Sequence, residues 1–563
     1  MSARTLQDLG ALTPPEHLFL ATLDSGAYHQ CGDGSLPPAG DTTRAIRAAL
    51  LRLLLLGGPE VPRLHEKGLR LRGAWLTGTL DLEGCTALRG VALADCRFEG
   101  PLVLQSAGID TLNLNGSVLP GLAARRLETR GGVSLLGAEI TGAIDLRGAQ
   151  LGGDLVLDGC AVTQPGGTAF DAAYIVTRGD LTLRGSRISG TVKVAGARLT
   201  GDLILTGSTL DHAGEFALDA AGVKVAGDVV LRAVRITGEA KFTGARVSGD
   251  FQLDNGTFDA PEANAITLNR AVIDGALFLR DGAKVNGTLS LAGAYAGTIV
   301  DEPTSWPKPG HLLLNRFLYG GFIGSPVDAP TRLDWLSRQA PGQSNENFWP
   351  QPYEQLSTVL SEMGHRDDAR RVLFEKERLQ RRTRQARASR KLTRAALQLK
   401  DTLLLVTVGY GLHPLLAFVW LALLWLVGVG LLDAVQVEGQ LRPNSPVLLR
   451  APEWVLCGVP ASQELYLPSV NLRRSGLAAP GQSQIDCFLQ QPEAGPFPKF
   501  NKWVYSLEAV VPGLEAGQRD YWSPDTRHGL GYAAKIFEYV QRITGLALGV
   551  LALAGFSGLV KSK

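Results

Sequence analysis

From about Gly78 to Gly297 the apolar residues do not follow a helical stripe. They come in pairs two positions apart, with polar residues between them and glycines on either side. The stretch GDLILTGSTLD from Gly201 shows the unit. Leu203 and Leu205 are two apart, so both belong to one side of a strand, while Asp202 and Thr206 belong to the other. A second apolar position follows at Leu210, one turn further on. Gly142 to Gly153, Gly179 to Gly190 to Gly201, and Gly227 to Gly238 to Gly249 are each eleven residues apart. A short fixed period of this kind predicts a solenoid. Each module G-x-L-x-L-x-G-A-x-L-x makes two short sides, and two modules close one four-sided coil. About ten coils at ~4.8 Å each predict a rod on the order of 50 Å long.

Two further positions carry the pattern. The residue after the second glycine is small (Ala149, Cys160, Ser186, Ala197, Ser208, Ala245), as a crowded corner requires. The residue two further on is apolar and predicted to point inward (Leu151, Val162, Ile188, Leu199, Leu210, Val247). The glycines supply the positive φ of sharp corners. Insertions break the register at Thr163–Arg178 and His212–Ala226. The half-modules ARLTG, SRISG, AEITG and ARVSG resemble the pentapeptide repeat, although Arg, Glu or Gln mostly replaces its usual Asp or Asn. Together with RLHEKGLRLRGAWLTGTLDLEGC (Arg63–Cys85) and the ending GLALGVLALAGFSGLVKSK, they make the chain similar to bacterial membrane proteins that carry pentapeptide-like or bactofilin-like repeats. That resemblance implies a right-handed β-helix and a bacterial inner membrane. It implies no particular reaction.

The fold class expected is therefore mainly β solenoid, with a helical cap, a helical hairpin and two transmembrane helices. Residues 1–68 form the cap; within it DTTRAIRAALLRLLLLGG (Asp41–Gly58) reads as a helix started by Asp41 or Thr42 and stopped by Gly57-Gly58. The β-helix occupies 69–300, the repeat stopping at about Thr298. Residues 301–395 form a helical connector. In it YEQLSTVLSEMGHRDDARRVLFEKERLQRR (from Tyr353) reads as a hairpin, with Gly364 ending the first helix and Asp367 capping the second. A basic run follows. Arg381, Arg382, Arg384, Arg387, Arg390, Lys391 and Arg394 are its candidate contacts with anionic lipid, because the run abuts a long apolar segment.

That segment lies within 396–434 and is long enough to span ~30 Å. A second span falls in 531–563, chiefly Ile543–Val560, and Lys561-Ser562-Lys563 follows it. Positive charge before the first span and after the second puts both termini in the cytoplasm and residues 435–530 outside. Cys457 and Cys487 both fall in the outer segment, where a disulfide persists if they pair; two cysteines leave pairing open. Gly545 and Gly549 form G-x-x-x-G, a helix-packing motif consistent with a homo-oligomer.

Composition narrows the chemistry. Lys plus Arg (56) nearly balances Asp plus Glu (54), which argues against a nucleic-acid binder, and 67 glycines fit a repeated tight turn. Cys31, Cys85, Cys96 and Cys160 lack C-x-x-C spacing and read as buried free thiols. Asp154, Asp180, Asp202, Asp228 and Asp250 recur at one module position, more simply as turn bonding than as a catalytic ladder. No nucleophile triad, phosphate loop or dinucleotide fingerprint stands out, so neither an enzyme nor a cofactor is expected. LLLVTVGYGLHP (Leu403–Pro414) contains the potassium-filter pentad T-V-G-Y-G. It sits at the start of the first span, not in a loop between two spans, and reads as a bend. Two function classes follow. One is a membrane-anchored scaffold or sensor whose β-helix meets a cytoplasmic protein. The other is an oligomeric channel or permeabilising effector gated by the rod, with Tyr505, Glu508, Pro512 and Gly513 as its pore segment.

Overall fold

The computed structural model describes residues 5–58, 61–87, 89–340, 348–387, 391–411, 415–468 and 470–556. The chain divides into two compact units, Met1–Lys376 and Glu377–Lys563.

The first unit is a parallel β-solenoid of about 11 turns. Val133 pairs with Leu155, and Leu181 with Leu203, so two eleven-residue modules make one coil. The predicted interior is observed. Leu151, Val162, Ile188, Leu199, Leu210 and Val247 are buried, as are the small corner residues from Ala149 to Ala245. Burying one Leu of this kind contributes about 1.5–3 kcal/mol. The small corners are also hydrogen-bonded along the axis. Ser186 Oγ donates to Leu157 O (2.6 Å), Cys160 Sγ to Leu135 O (2.8 Å), and Ser208 Oγ to Leu183 O.

The insertions do not interrupt the stack. Ala161–Asp171 and Thr209–Asp219 are long strands that bulge and then rejoin the register. A third such strand, Thr257–Thr267, has no counterpart in the predicted insertions. The coils stacked on them turn the same corner on glycine. Gly190 (φ +119°) and Gly287 (φ +133°) lie against carbonyls of the bulged strands, where a Cβ would overlap.

Three boundaries differ from expectation. α1 (Pro14–Leu20) and α2 (Ala48–Leu56) belong to the cap, but α2 begins at Ala48, not near Asp41. Asp41 caps a 3-10 turn instead, and Ala45–Arg47 pairs with Trp75–Thr77 as a first partial coil. Stacking onto the rod's open end outcompetes the helix there. At the other end pairing continues past residue 300 to Leu318–Tyr319, because Leu312, Leu314, Phe317 and Tyr319 keep the inward pattern although Arg316 replaces the second module glycine. α3 (Ala329–Ser337), α4 (Gln351–Glu362) and α5 (Arg366–Arg387) follow. Gly364 (φ +93°) separates α4 from α5 as predicted, while Asp367 lies inside the first turn of α5. A buried ion pair closes this end. Arg332 reaches both Asp301 oxygens (2.9 and 2.7 Å), Trp306 Nε1 donates to the same carboxylate (2.8 Å), and Phe322 stacks on the guanidinium.

In the second unit α6 (Lys391–Val408) precedes α7 (Leu415–Val437), and α12 (Gly529–Phe556) ends the described chain. α7 and α12 are long and apolar enough to cross a membrane. Between them lie α8 (Pro452–Cys457), α9 (Gln484–Leu489), α10 (Lys502–Val510) and α11 (Gln518–Tyr521). Two short antiparallel ribbons join them, and Trp454, Phe488 and Trp522 pack around the Cys457–Cys487 disulfide. α10 is not in this lobe alone: it packs against both α7 and α12.

Candidate functional site

Three places in the molecule concentrate polar or charged groups. The first is the aspartate ladder. Asp154 Oδ1 accepts the backbone N–H of Asp180 (2.9 Å), Asp180 that of Asp202 (2.8 Å), Asp202 that of Asp228 (2.8 Å) and Asp228 that of Asp250 (2.7 Å). Asp250 takes the N–H of Ala276 (2.8 Å). Each carboxylate thus closes an amide that the square corner would leave bare. The glycines before Asp180, Asp202, Asp228 and Asp250 have the same cause. A Cβ on Gly201 would overlap the Asp180 carboxylate, and one on Gly227 that of Asp202. The Gly-Asp pair is one structural device.

The second place is a basic face. Arg198 stacks on Lys224, and Lys224 on Arg246, in consecutive coils. All three are exposed, and none makes an ion pair among the described residues. The same column runs back through Val176, Gln150 and Glu128, where Arg126, Arg130 and Arg178 line a groove of about 850 Å³. Among the described residues only Arg130 of these three makes an ion pair, with Asp110 (2.8 Å). Like charges opposed on neighbouring strands destabilise a sheet. Folding therefore does not account for the Arg198–Lys224–Arg246 ladder.

The cysteines of this unit are placed for packing. Burial pushes the Cys96 and Cys160 thiols up to about 12 and Cys31 to about 11. Cys85 is half-exposed beside Arg52. Among the described residues no group of three or more His, Cys, Asp or Glu is arranged to hold a metal ion. The chain matches no protein-family model and no curated relative.

The third place is the helical unit. T-V-G-Y-G falls at the junction of α6 and α7, where Tyr410 adopts φ 58°, ψ 25°. Tyr410 is buried with Arg381 4.5 Å over its ring, and Trp420 Nε1 donates back to Val406 O (2.9 Å). The pentad is the predicted bend. The predicted lipid contacts separate here. Arg381 is drawn inward by Asp401 (2.8 Å) and Glu377 (3.3 Å), whereas Arg382, Arg384 and Arg394 are exposed. Arg390 and the side chains of Arg387 and Lys391 lie outside the described residues, as do Lys561 to Lys563.

α10 matches the short helix expected before Pro512-Gly513, but its residues are placed unlike a simple pore lining. Tyr505 donates to Glu538 (3.0 Å), which also takes Arg519 (3.2 Å) and Lys535 (2.8 Å). Glu508 is buried and accepts the backbone N–H groups of Ala516 (2.6 Å), Gly517 (2.7 Å) and Arg519 (3.1 Å). Pro512 and Gly513 are exposed. Gly545 seats the carbonyl of Val510, so this half of G-x-x-x-G serves α10. Gly549 has open space beside it. Reasoning from sequence missed Ser506 and Gln541, which bond each other (3.1 Å) and the carbonyls of Trp425 (2.9 Å) and Leu424 (2.8 Å). Gly428 makes room for both.

Proposed function

We propose that the protein is held in a bacterial inner membrane by α7 and α12, and that it presents its solenoid to the cytoplasm as a docking surface for an acidic protein partner. The observation that carries this reading is the unpaired Arg198–Lys224–Arg246 ladder, which costs the fold and suits a negatively charged ligand. Three stacked cations on a chain of net charge +2 fit a compact acidic patch better than a nucleic acid. Two features support the orientation. The basic run precedes α7, and Cys457–Cys487 is bonded while Cys31, Cys85, Cys96 and Cys160 are free. On α6 the exposed Leu392, Leu399 and Leu403 lie near Arg394, a composition that suits a surface of anionic lipid.

A photo-crosslinker at Lys224 in the full-length protein in its native membranes tests the docking reading. One acidic protein should be captured, and charge reversal of Arg198 and Arg246 should abolish the adduct. Labelling that ignores those reversals, or no adduct, removes the reading. A second reading, an oligomeric channel, is favoured by one observation: α10 enters the space between α7 and α12.

A further inference from the structure

α10 runs inward along α7. Lys502, in its first turn, pairs with Asp433 near the outer end of α7. Ser506, one turn on, reaches Trp425 O, and Val510 to Pro512 share an apolar groove of about 460 Å³ with Phe418, Leu421 and Gly549. The contacts thus move from residue 433 to residue 418 of a helix spanning Leu415–Val437, past its midpoint. The chain then turns at Pro512-Gly513 and comes back, tied by Glu508 to Ala516, Gly517 and Arg519. If α7 and α12 span a bilayer, this is a re-entrant hairpin whose tip lies at hydrocarbon depth.

Its return strand is not finished. Residues 511–516 are exposed, and the carbonyls of Pro512, Gly513, Leu514 and Glu515 accept no hydrogen bond among the described residues. Lipid offers no donors, so irregular backbone at that depth persists only against protein or along a water-filled cavity. Acceptors dominate the groups left open: four carbonyls and the exposed, anionic Glu515 carboxylate, against the two backbone N–H groups of Gly513 and Glu515. Oxygen acceptors of this kind replace the hydration shell of a cation and repel an anion. Glu508 is buried in the hairpin's own bonding and Tyr505 is tied to Glu538 of α12, and both hold the hairpin in place.

We propose that several copies of this chain assemble around the 511–516 segment, so that its carbonyls and Glu515 line a hydrated path for a cation. The site is incomplete in one copy, since a single return strand faces lipid. This rests on the reading that α7 and α12 cross a bilayer, and alkaline carbonate extraction of the membranes tests that reading separately. The full-length protein should stay with the membrane. With Cys85 replaced, Glu515→Cys should crosslink copy to copy on oxidation, whereas Ile543→Cys on the outward face of α12 should not. In planar bilayers the protein should pass cations over anions. Glu515→Gln should move the permeability ratio toward unity, and Glu515→Lys should invert it. A membrane-integral protein that does not crosslink through Glu515→Cys overturns the assembly. Silent bilayers, or a selectivity indifferent to both Glu515 variants, overturn the cation path. Release by carbonate overturns the membrane reading on which both stand.

Discussion

The solenoid and the helical unit solve the same problem of unmet backbone polar groups in opposite ways. In the solenoid one local solution is repeated. An aspartate reaches one coil up, a glycine makes room for it, and a small corner residue bonds one coil back. In the helical unit each solution is used once, and the longest cross long stretches of chain: Gln541 to the Leu424 carbonyl and Ser506 to that of Trp425. Repetition spreads the cost of any single defect. A contact made once has no neighbours to share the loss. The same contrast appears inside the first unit, where the regular coils end on the unrepeated Arg332–Asp301 pair.

The largest effect is therefore expected at that pair. Arg332→Ala leaves Asp301 charged and buried, and it should destabilise the first unit by about 3–5 kcal/mol, measured by denaturant unfolding. A loss below about 1 kcal/mol would mean the pair behaves as a surface one. Next comes the disulfide, which closes a loop with a sequence separation of 30. Cys457→Ser with Cys487→Ser should cost the disulfide-bonded lobe about 3–4 kcal/mol, read as proteolysis confined to 438–528. Third, Gly201→Ala should cost roughly 1–3 kcal/mol by overlap with Asp180. Its φ is not left-handed, so the cost is one of space, and adding Asp180→Ala should recover part of it. Strict additivity of the two would contradict the paired Gly-Asp device. The smallest effect is chemical. A maleimide at pH 8 should modify Cys85 first and spare Cys96 and Cys160, whose thiols burial holds near 12. Urea should expose all of them alike.

The repeating half was legible because its contacts lie at a fixed separation. Leu203, Ser208 and Leu210 have the same neighbours in every coil, so period alone assigns their sides. What escaped was whatever departs from the period. The bulge in Thr257–Thr267 keeps apolar residues at both ends and hides in the pattern. The coil at Leu312–Tyr319 keeps Gly310 but lacks its second module glycine, with Arg316 at φ +58° taking that corner instead. Ala45–Arg47 has helical composition, yet an open coil end gives it more partners as a strand. In the second unit, hydropathy located α7 and α12 and chain chemistry placed the bend at Gly409–Gly411. Neither indicates which polar residues meet. Ser506 and Gln541 are 35 apart, with no spacing rule to connect them. Arg381 looked like its basic neighbours, and only the fold distinguishes it by supplying Asp401 and Tyr410.

We propose that the chain crosses a bilayer twice, with the solenoid and the disulfide-bonded lobe on opposite sides. An impermeant maleimide applied to sealed vesicles of defined orientation tests it directly, using Lys224→Cys for the solenoid and Glu464→Cys for the lobe in a background without Cys85. Lys224→Cys should label only in inside-out vesicles and Glu464→Cys only in right-side-out ones. Labelling of both from the same side would rule out this topology.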